Sequence, residues 1–149
     1  MDTAILTPER HNHASHTTKA KTRVLVVDDN VDTADSLAIL LRFCDHDVRT
    51  AYNGPAALNI AEAFCPNVVL SDIGLPGMNG YDLCRQLRSK FTSLRLIAMS
   101  GYGQSTDLQL SKEAGFELHL LKPVEPSQIL KLLAEMTSAE QGRALARSA

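Results

Sequence analysis

Residues 23–28 read R-V-L-V-V-D and residues 67–72 read N-V-V-L-S-D, and these two stretches decide the fold. Each is a short run of aliphatic side chains on successive positions, closed by a carboxylate. Apolar residues on alternate positions would mark a strand with one wet face. Apolar residues on every position mark a strand covered on both faces, the condition inside a parallel sheet. Parallel strands need crossovers of about a dozen residues or more, usually helical, and the segments between the runs supply them. Residues 32–44 place Ala34, Leu37, Ala38, Leu41 and Cys44 at three- and four-residue spacing, an amphipathic stripe.

Working outward, residues 47–51 (D-V-R-T-A) make a weaker, more polar strand suited to a sheet edge. Gly54 breaks the chain, and Pro55 is well placed at the first position of a helix reaching Phe64. After 67–72, the turn Gly74-Leu75-Pro76-Gly77 leads to Asn79, a cap for a helix through Lys90. Residues 94–100 (L-R-L-I-A-M-S) form a fourth strand ending in the hydroxyl of Ser100, and 104–115 a helix stopped by Gly115. Residues 117–121 form the fifth strand, with Lys122 directly after it. Residues 127–136 form the last helix, with Ile129, Leu130, Leu133 and Met136 on one face.

This alternation predicts a (βα)5 doubly wound parallel sheet. Right-handed crossovers leave few arrangements, and the flavodoxin-like strand order 2-1-3-4-5 puts the first and third strands side by side, where ligands bind beyond the strand ends. That pairing brings Asp28 and Asp29 beside Asp72, with Lys122 opposite. Neighbouring strands lie about 4.8 Å apart, and two carboxylates near 4 Å repel by roughly 4 kcal/mol at an effective dielectric of 20. A cation must sit among them, or one acid must hold a proton. A hard divalent ion answers the first option, since magnesium takes one or two carboxylates and keeps waters for phosphate oxygen to replace.

At 149 residues, with 44% hydrophobic and 21% charged content, the chain fits one globular unit plus tails. The expected division is a flexible arm over 1–22, a folded unit over 23–136 and a tail over 137–149 that tolerates helix. A formal charge of −2 and the lack of a basic run argue against a nucleic-acid surface. The arm holds no long apolar stretch, so neither a signal peptide nor a membrane span is expected and the cytoplasm is the default. Cys44, Cys65 and Cys84 are odd in number and lack C-x-x-C spacing, which reads as reduced, buried thiols. His11, His13 and His16 sit close together in the arm, but an unstructured segment gives a metal no fixed geometry.

Taken together, L-V-V-D-D-N at 25–30, S-D-I-G-L-P-G-M-N-G at 71–80, M-S-G-Y-G at 99–103 and L-K-P-V at 121–124 resemble the receiver domain of two-component response regulators. The resemblance covers about residues 23–136 in the family's order, and 101–124 is similar to receivers of hybrid histidine kinases. It implies that Asp72 is the phosphoacceptor, taking its phosphoryl group from a histidine kinase or histidine phosphotransfer protein. It implies Mg2+ held by the side chains of Asp29 and Asp72 and the backbone carbonyl of Gly74, with Asp28 acting largely through water. Ser100 matches the switch hydroxyl that approaches the phosphoryl oxygens, and Lys122 matches the lysine that pairs with phosphate. The Lys122-Pro123 bond matches one that is cis in the family. The implied protein is a stand-alone phosphorelay or chemotaxis-type signalling module with a protein partner downstream. It catalyses only its own phosphoryl transfer and slow dephosphorylation. The family's usual contact face falls on 104–136. An interaction-only pseudo-receiver, regulated by binding alone, is the alternative.

Three positions depart from the commonest family pattern. His119 stands where a Tyr or Phe usually couples to the switch hydroxyl, and plain packing or a pH-sensitive ring are both open to an imidazole. Gly74 offers no side chain to orient a hydrolytic water, while Tyr102 could shield the site. Competing motifs fail: an EF-hand loop from Asp28 would have Thr33 and Ile39 where Gly and Glu belong. Gly101-Tyr102-Gly103 begins a dinucleotide loop, yet Thr106 occupies the next glycine position. A phosphatase D-x-D-x-T from Asp28 would have Asn30 and Asp32 in its later slots.

Overall fold

Side chains at successive positions of a strand point to opposite faces of the sheet, and this chain buries both. A computed structural model describes residues 21–101 and 105–147, with side chains described for 21–101 and 108–136. The elements run β1 (Arg23–Val27), α1 (Val31–Phe43), β2 (Asp47–Ala51), α2 (Gly54–Phe64), β3 (Val68–Asp72), α3 (Gly80–Lys90), β4 (Arg95–Ser100), α4 (Ser105–Ala114), β5 (Leu118–Leu121) and α5 (Pro126–Arg147). The strands form one parallel sheet in the order β2-β1-β3-β4-β5. The fold is therefore the flavodoxin-like arrangement predicted from the aliphatic runs.

Leu25, Val27, Val69, Leu96 and Ala98 face one layer, packed with Ala57, Ala61, Leu83, Leu87 and Ala114 from α2, α3 and α4. Val24, Val26, Leu70, Ile97 and Met99 face the other, against Ala34, Ala38 and Leu41 of α1 and Ile129 and Leu133 of α5. Adjacent residues Leu25 and Val26 are both fully buried. Each contributes about 1.5–3 kcal/mol relative to exposure, and together they bond the central strand to both helical layers.

Asparagine opens three of the helices. Asn30, Asn53 and Asn79 each accept a hydrogen bond from the backbone N–H three residues on, at Thr33, Ala56 and Asp82. Each satisfies an otherwise orphaned donor of the first turn. The chain thus turns from strand to helix directly after Asp28-Asp29.

α5 continues to Arg147, through the tail that tolerates helix, because Ala, Arg, Glu, Gln and Leu, strong helix formers, make up most of the stretch beyond Met136. Two details differ from the sequence reading. α1 ends at Phe43, which leaves Cys44 exposed, and Cys65 is exposed in a left-handed cap after α2 with φ 50°. Only Cys84 is buried, and burial pushes its thiol up to about 11 against the opposing pull of Arg88 and Arg85. The histidines of the arm lie outside the described residues, as does Tyr102.

Candidate functional site

The register of the sheet assembles the acids. Val27 pairs with Ser71 across β1 and β3, so the next residues in the two chains, Asp28 and Asp72, meet at the carboxyl edge. Asp28 is held by its own N–H on the Ala51 carbonyl at 3.1 Å, and its Oδ1 accepts from the Asn30 N–H at 3.0 Å. Asp72 Oδ1 accepts from the Gly74 N–H at 3.2 Å. Asp28, Asp29 and Asp72 each offer an oxygen within 4.8 Å of the others. Asp28 and Asp72 are buried, whereas Asp29 is exposed.

Lys122 reaches this cluster from the far edge of the sheet. Its N–H donates to the Ser100 carbonyl at 2.8 Å, its bond to Pro123 is cis, and its ammonium lies 2.9 Å from Asp28 Oδ2 and 3.1 Å from Asp72 Oδ2. Burial works against the charge on Lys122, but hydrogen bonds and Coulomb attraction from Asp28 and Asp72 outweigh it and raise the lysine above its ordinary range. Three carboxylates and one ammonium still leave a formal surplus of two negative charges. A divalent cation matches that surplus. Asp28, Asp29 and Asp72 would supply oxygens from three sides of such an ion. The all-oxygen donor set suits a hard ion.

Ser100 closes β4 on the same edge and is buried. Its Oγ lies 2.7 Å from His119 Nε2, and His119 Nδ1 lies 2.9 Å from Ser111 Oγ on α4. His119 is therefore not merely packed into the slot where the family usually carries Tyr or Phe, because both ring nitrogens are engaged. Ser111 went unmarked in the sequence. It sits mid-helix outside every motif, and only the docking of α4 on β5 brings it to the ring.

A Cβ added at Gly74 would meet only Asp72 Oδ1, at 3.9 Å, so the space beside that carboxylate is open. On the α1 side, a groove of about 430 Å³ lined by Asp28, Asp32, Lys122, Met99 and Ile129 adjoins the acids. The cluster faces accessible space at the switch point of the sheet.

Fold and site together define a doubly wound α/β protein with an acidic, lysine-bridged pocket at its strand ends. The chain belongs to the response regulator receiver domain family, whose model matches residues 24–134. An uncharacterized 14.6 kDa protein from the sodA1 3′ region of Leptolyngbya boryana is 34% identical over 120 residues, covering 79% of this chain and 92% of that one. The DNA-binding response regulator MtrA of Mycobacterium tuberculosis H37Rv is 34% identical over 108 residues, 72% of this chain. The chain spans about half of MtrA's length, 47%. Among solved structures, a CheY-like receiver domain protein from Methanospirillum hungatei JF-1 superposes with a TM-score of 0.78 at 27% identity, covering 83% of this chain and 99% of that one. Vibrio cholerae chemotaxis protein CheY4 gives 0.74 at 27%, covering 78% and 98%. Receiver domains are phosphoacceptors of two-component signalling rather than enzymes in the ordinary sense.

Proposed function

We propose that Asp72 accepts a phosphoryl group from a phosphohistidine of a histidine kinase or histidine phosphotransfer protein. The group changes the protein's contacts with a downstream protein partner. The observation that carries this reading is the Lys122 ammonium bridging Asp28 and Asp72. An ionised carboxylate is already a nucleophile at neutral pH and needs no general base. An Asp72 carboxylate oxygen forms the new P–O bond as the P–N bond to the donor imidazole breaks, and the departing imidazole takes a proton from water. Phosphoryl transfer asks the protein chiefly for positioning and charge neutralisation.

Gly74 N–H and Lys122 orient the Asp72 carboxylate, and Lys122 is in reach to follow a phosphoryl oxygen attached there. Asp28, Asp29, Asp72 and the Gly74 carbonyl would hold Mg2+, which when bound neutralises charge on the transferred group. Ser100 supplies a hydroxyl to a phosphoryl oxygen once Asp72 is modified. The open space at Gly74 leaves the aspartyl phosphate to hydrolyse slowly by itself. A cytoplasmic location is part of the proposal on the family resemblance. Among the described residues, no helix is long and apolar enough to cross a membrane.

The test is labelling with acetyl phosphate or a phosphorylated kinase in the presence of magnesium. A hydroxylamine-labile phosphate that disappears in Asp72→Asn is the expected result. No label with any donor would overturn the reading in favour of a pseudo-receiver.

A further inference from the structure

A helix lying on a sheet turns an apolar stripe to the core and polar residues to water, and α1 keeps only the first half of that rule. Ala34, Ala38 and Leu41 are buried against the sheet. On the outer side Val31 is 47% exposed, Ile39 53% and Phe43 86%, with Leu40 half-buried beside them. Ser36, Ile39, Leu40 and Phe43 follow one another at three- and four-residue spacing, so they form a second stripe along the helix.

A knob and a hole stand at opposite ends of this stripe. The knob is Phe43, the last residue of α1. The hole is the groove of about 430 Å³ between the first turns of α1 and the start of α5, with Leu37, Leu40, Val124, Pro126 and Ile129 as its apolar wall. Phe43 does not line its own groove, and Thr33 on the groove's rim lies roughly 15 Å back along the helix axis. A second copy turned about a two-fold axis near Ile39 removes that separation. It lays the two α1 helices antiparallel, sets Ile39 against Ile39, and brings each Phe43 over the opposite turn Asp32–Ser36, at the mouth of the groove. Charge favours the same direction. Asp32 stands in the first turn of α1 with Asp35 following, and Arg42 in the last turn. Antiparallel helices set Arg42 toward the acidic turn of the other copy, whereas parallel ones would set acid against acid. Asp45, beyond the helix end, is already paired with Lys21 at 3.3 Å.

We propose that this face is a self-complementary docking surface on which two copies of the chain pair through antiparallel α1 helices, each Phe43 seated in the α1–α5 groove of the other. Such an interface is isologous, every contact being made twice, so it closes on a dimer instead of growing into a filament. An aromatic ring in an apolar pocket is the kind of anchor that carries binding energy at protein interfaces. The groove also reaches Asp28 and Lys122, so in the pair the phenyl ring walls one side of the approach to the acids. A protein that lies along α1 then competes with the second copy.

Sedimentation velocity of the full chain, from micromolar to millimolar concentration, tests the pairing. The weight-average mass is expected to climb from 16.2 kDa toward twice that value, while Phe43→Ser, a change at an exposed position, holds the monomer mass throughout. Wild type that stays at the monomer mass overturns the proposal, and so does a dimer that Phe43→Ser leaves equally strong. Orientation is read by crosslinking. With the exposed Cys44 and Cys65 replaced by serine, Ile39→Cys lies on the axis and should form an intermolecular disulfide under mild oxidant well before Val31→Cys in the same background. Crosslinking at Ile39 no faster than at Val31 refutes the antiparallel pairing.

Discussion

Gly80 opens α3 against the strand that carries Asp72, and replacing it with alanine tests whether the site depends on that close approach. A Cβ at Gly80 would lie 2.5 Å from the Asp72 carbonyl oxygen and 2.6 Å from Ile73 Cα, both backbone atoms that no side-chain rotation relieves. The Gly80 N–H also donates to the Ile73 carbonyl at 2.8 Å, tying the same peptides together. Restoring an ordinary contact of 3.4 Å asks for a displacement of about 0.9 Å, the kind of overpacking that costs roughly 1–3 kcal/mol. Helix propensity offsets little of this, since the residue stands in the first turn. The displaced peptide holds Asp72, the proposed phosphoacceptor, and misplacing a reacting group by about 1 Å slows reaction on the order of 100-fold. Gly80→Ala should therefore lower the urea midpoint by an amount equivalent to about 2 kcal/mol and slow acetyl phosphate labelling by about two orders of magnitude. A Gly80→Ala protein as stable and as quickly labelled as wild type would refute the argument.

Other outcomes follow from the same contacts. Lys122→Ala removes the ammonium between Asp28 and Asp72, so the rise in melting temperature on adding magnesium should exceed that of wild type; an equal rise would show that the ammonium does not balance the acids. Asp29→Asn should weaken calorimetric magnesium binding at nearly unchanged stability, and Asp28→Asn, which removes one charge of the surplus and leaves Lys122 paired with Asp72, should weaken it too while costing no more than about 1–3 kcal/mol in stability. Burial lowers the His46 imidazole from its ordinary 6.5 despite the opposing charge of Asp45, and its Nδ1 is buried without a hydrogen-bond partner. Below pH 6.5 the unfolded chain takes up this proton before the folded one does, so stability falls as pH drops through that value; urea midpoints of wild type and His46→Gln that fall in parallel from pH 7.5 to 5.5 would contradict this. Ellman's reagent should titrate Cys44 and Cys65 rapidly and Cys84 only on unfolding, and three fast thiols would refute the burial assigned to Cys84.

The strand ends were legible because two constraints coincide in the sequence. A run buried on both faces is apolar at nearly every position, so a carboxylate that closes it, Asp28 directly after Val27 and Asp72 after Leu70-Ser71 as the last residue of β3, marks where the strand leaves the core. Parallel topology then does the rest, since it collects all such ends on one edge. What was not legible depends on how helices dock. Cys44 continues the apolar spacing of α1, but the helix stops one residue short of it and the thiol faces water. Ser111 meets His119 only through the placement of α4 against β5, and no local pattern encodes that contact.

The geometry of the acids divides them into a fixed pair and a movable third. Both oxygens of Asp28 are engaged, Oδ1 by the Asn30 N–H and Oδ2 by Lys122, and both oxygens of Asp72 by the Gly74 N–H and Lys122. These contacts come from backbone at strand ends and from one cation, so their arrangement precedes any ligand. Asp29 is exposed and stands outside that set. A divalent ion, if these residues hold one as proposed, would therefore draw in Asp29 rather than the sheet. The ordering entropy would then fall on one short side chain while Asp72, the proposed nucleophile, stays in place, which is the economical way to keep it aimed at a phosphoryl donor.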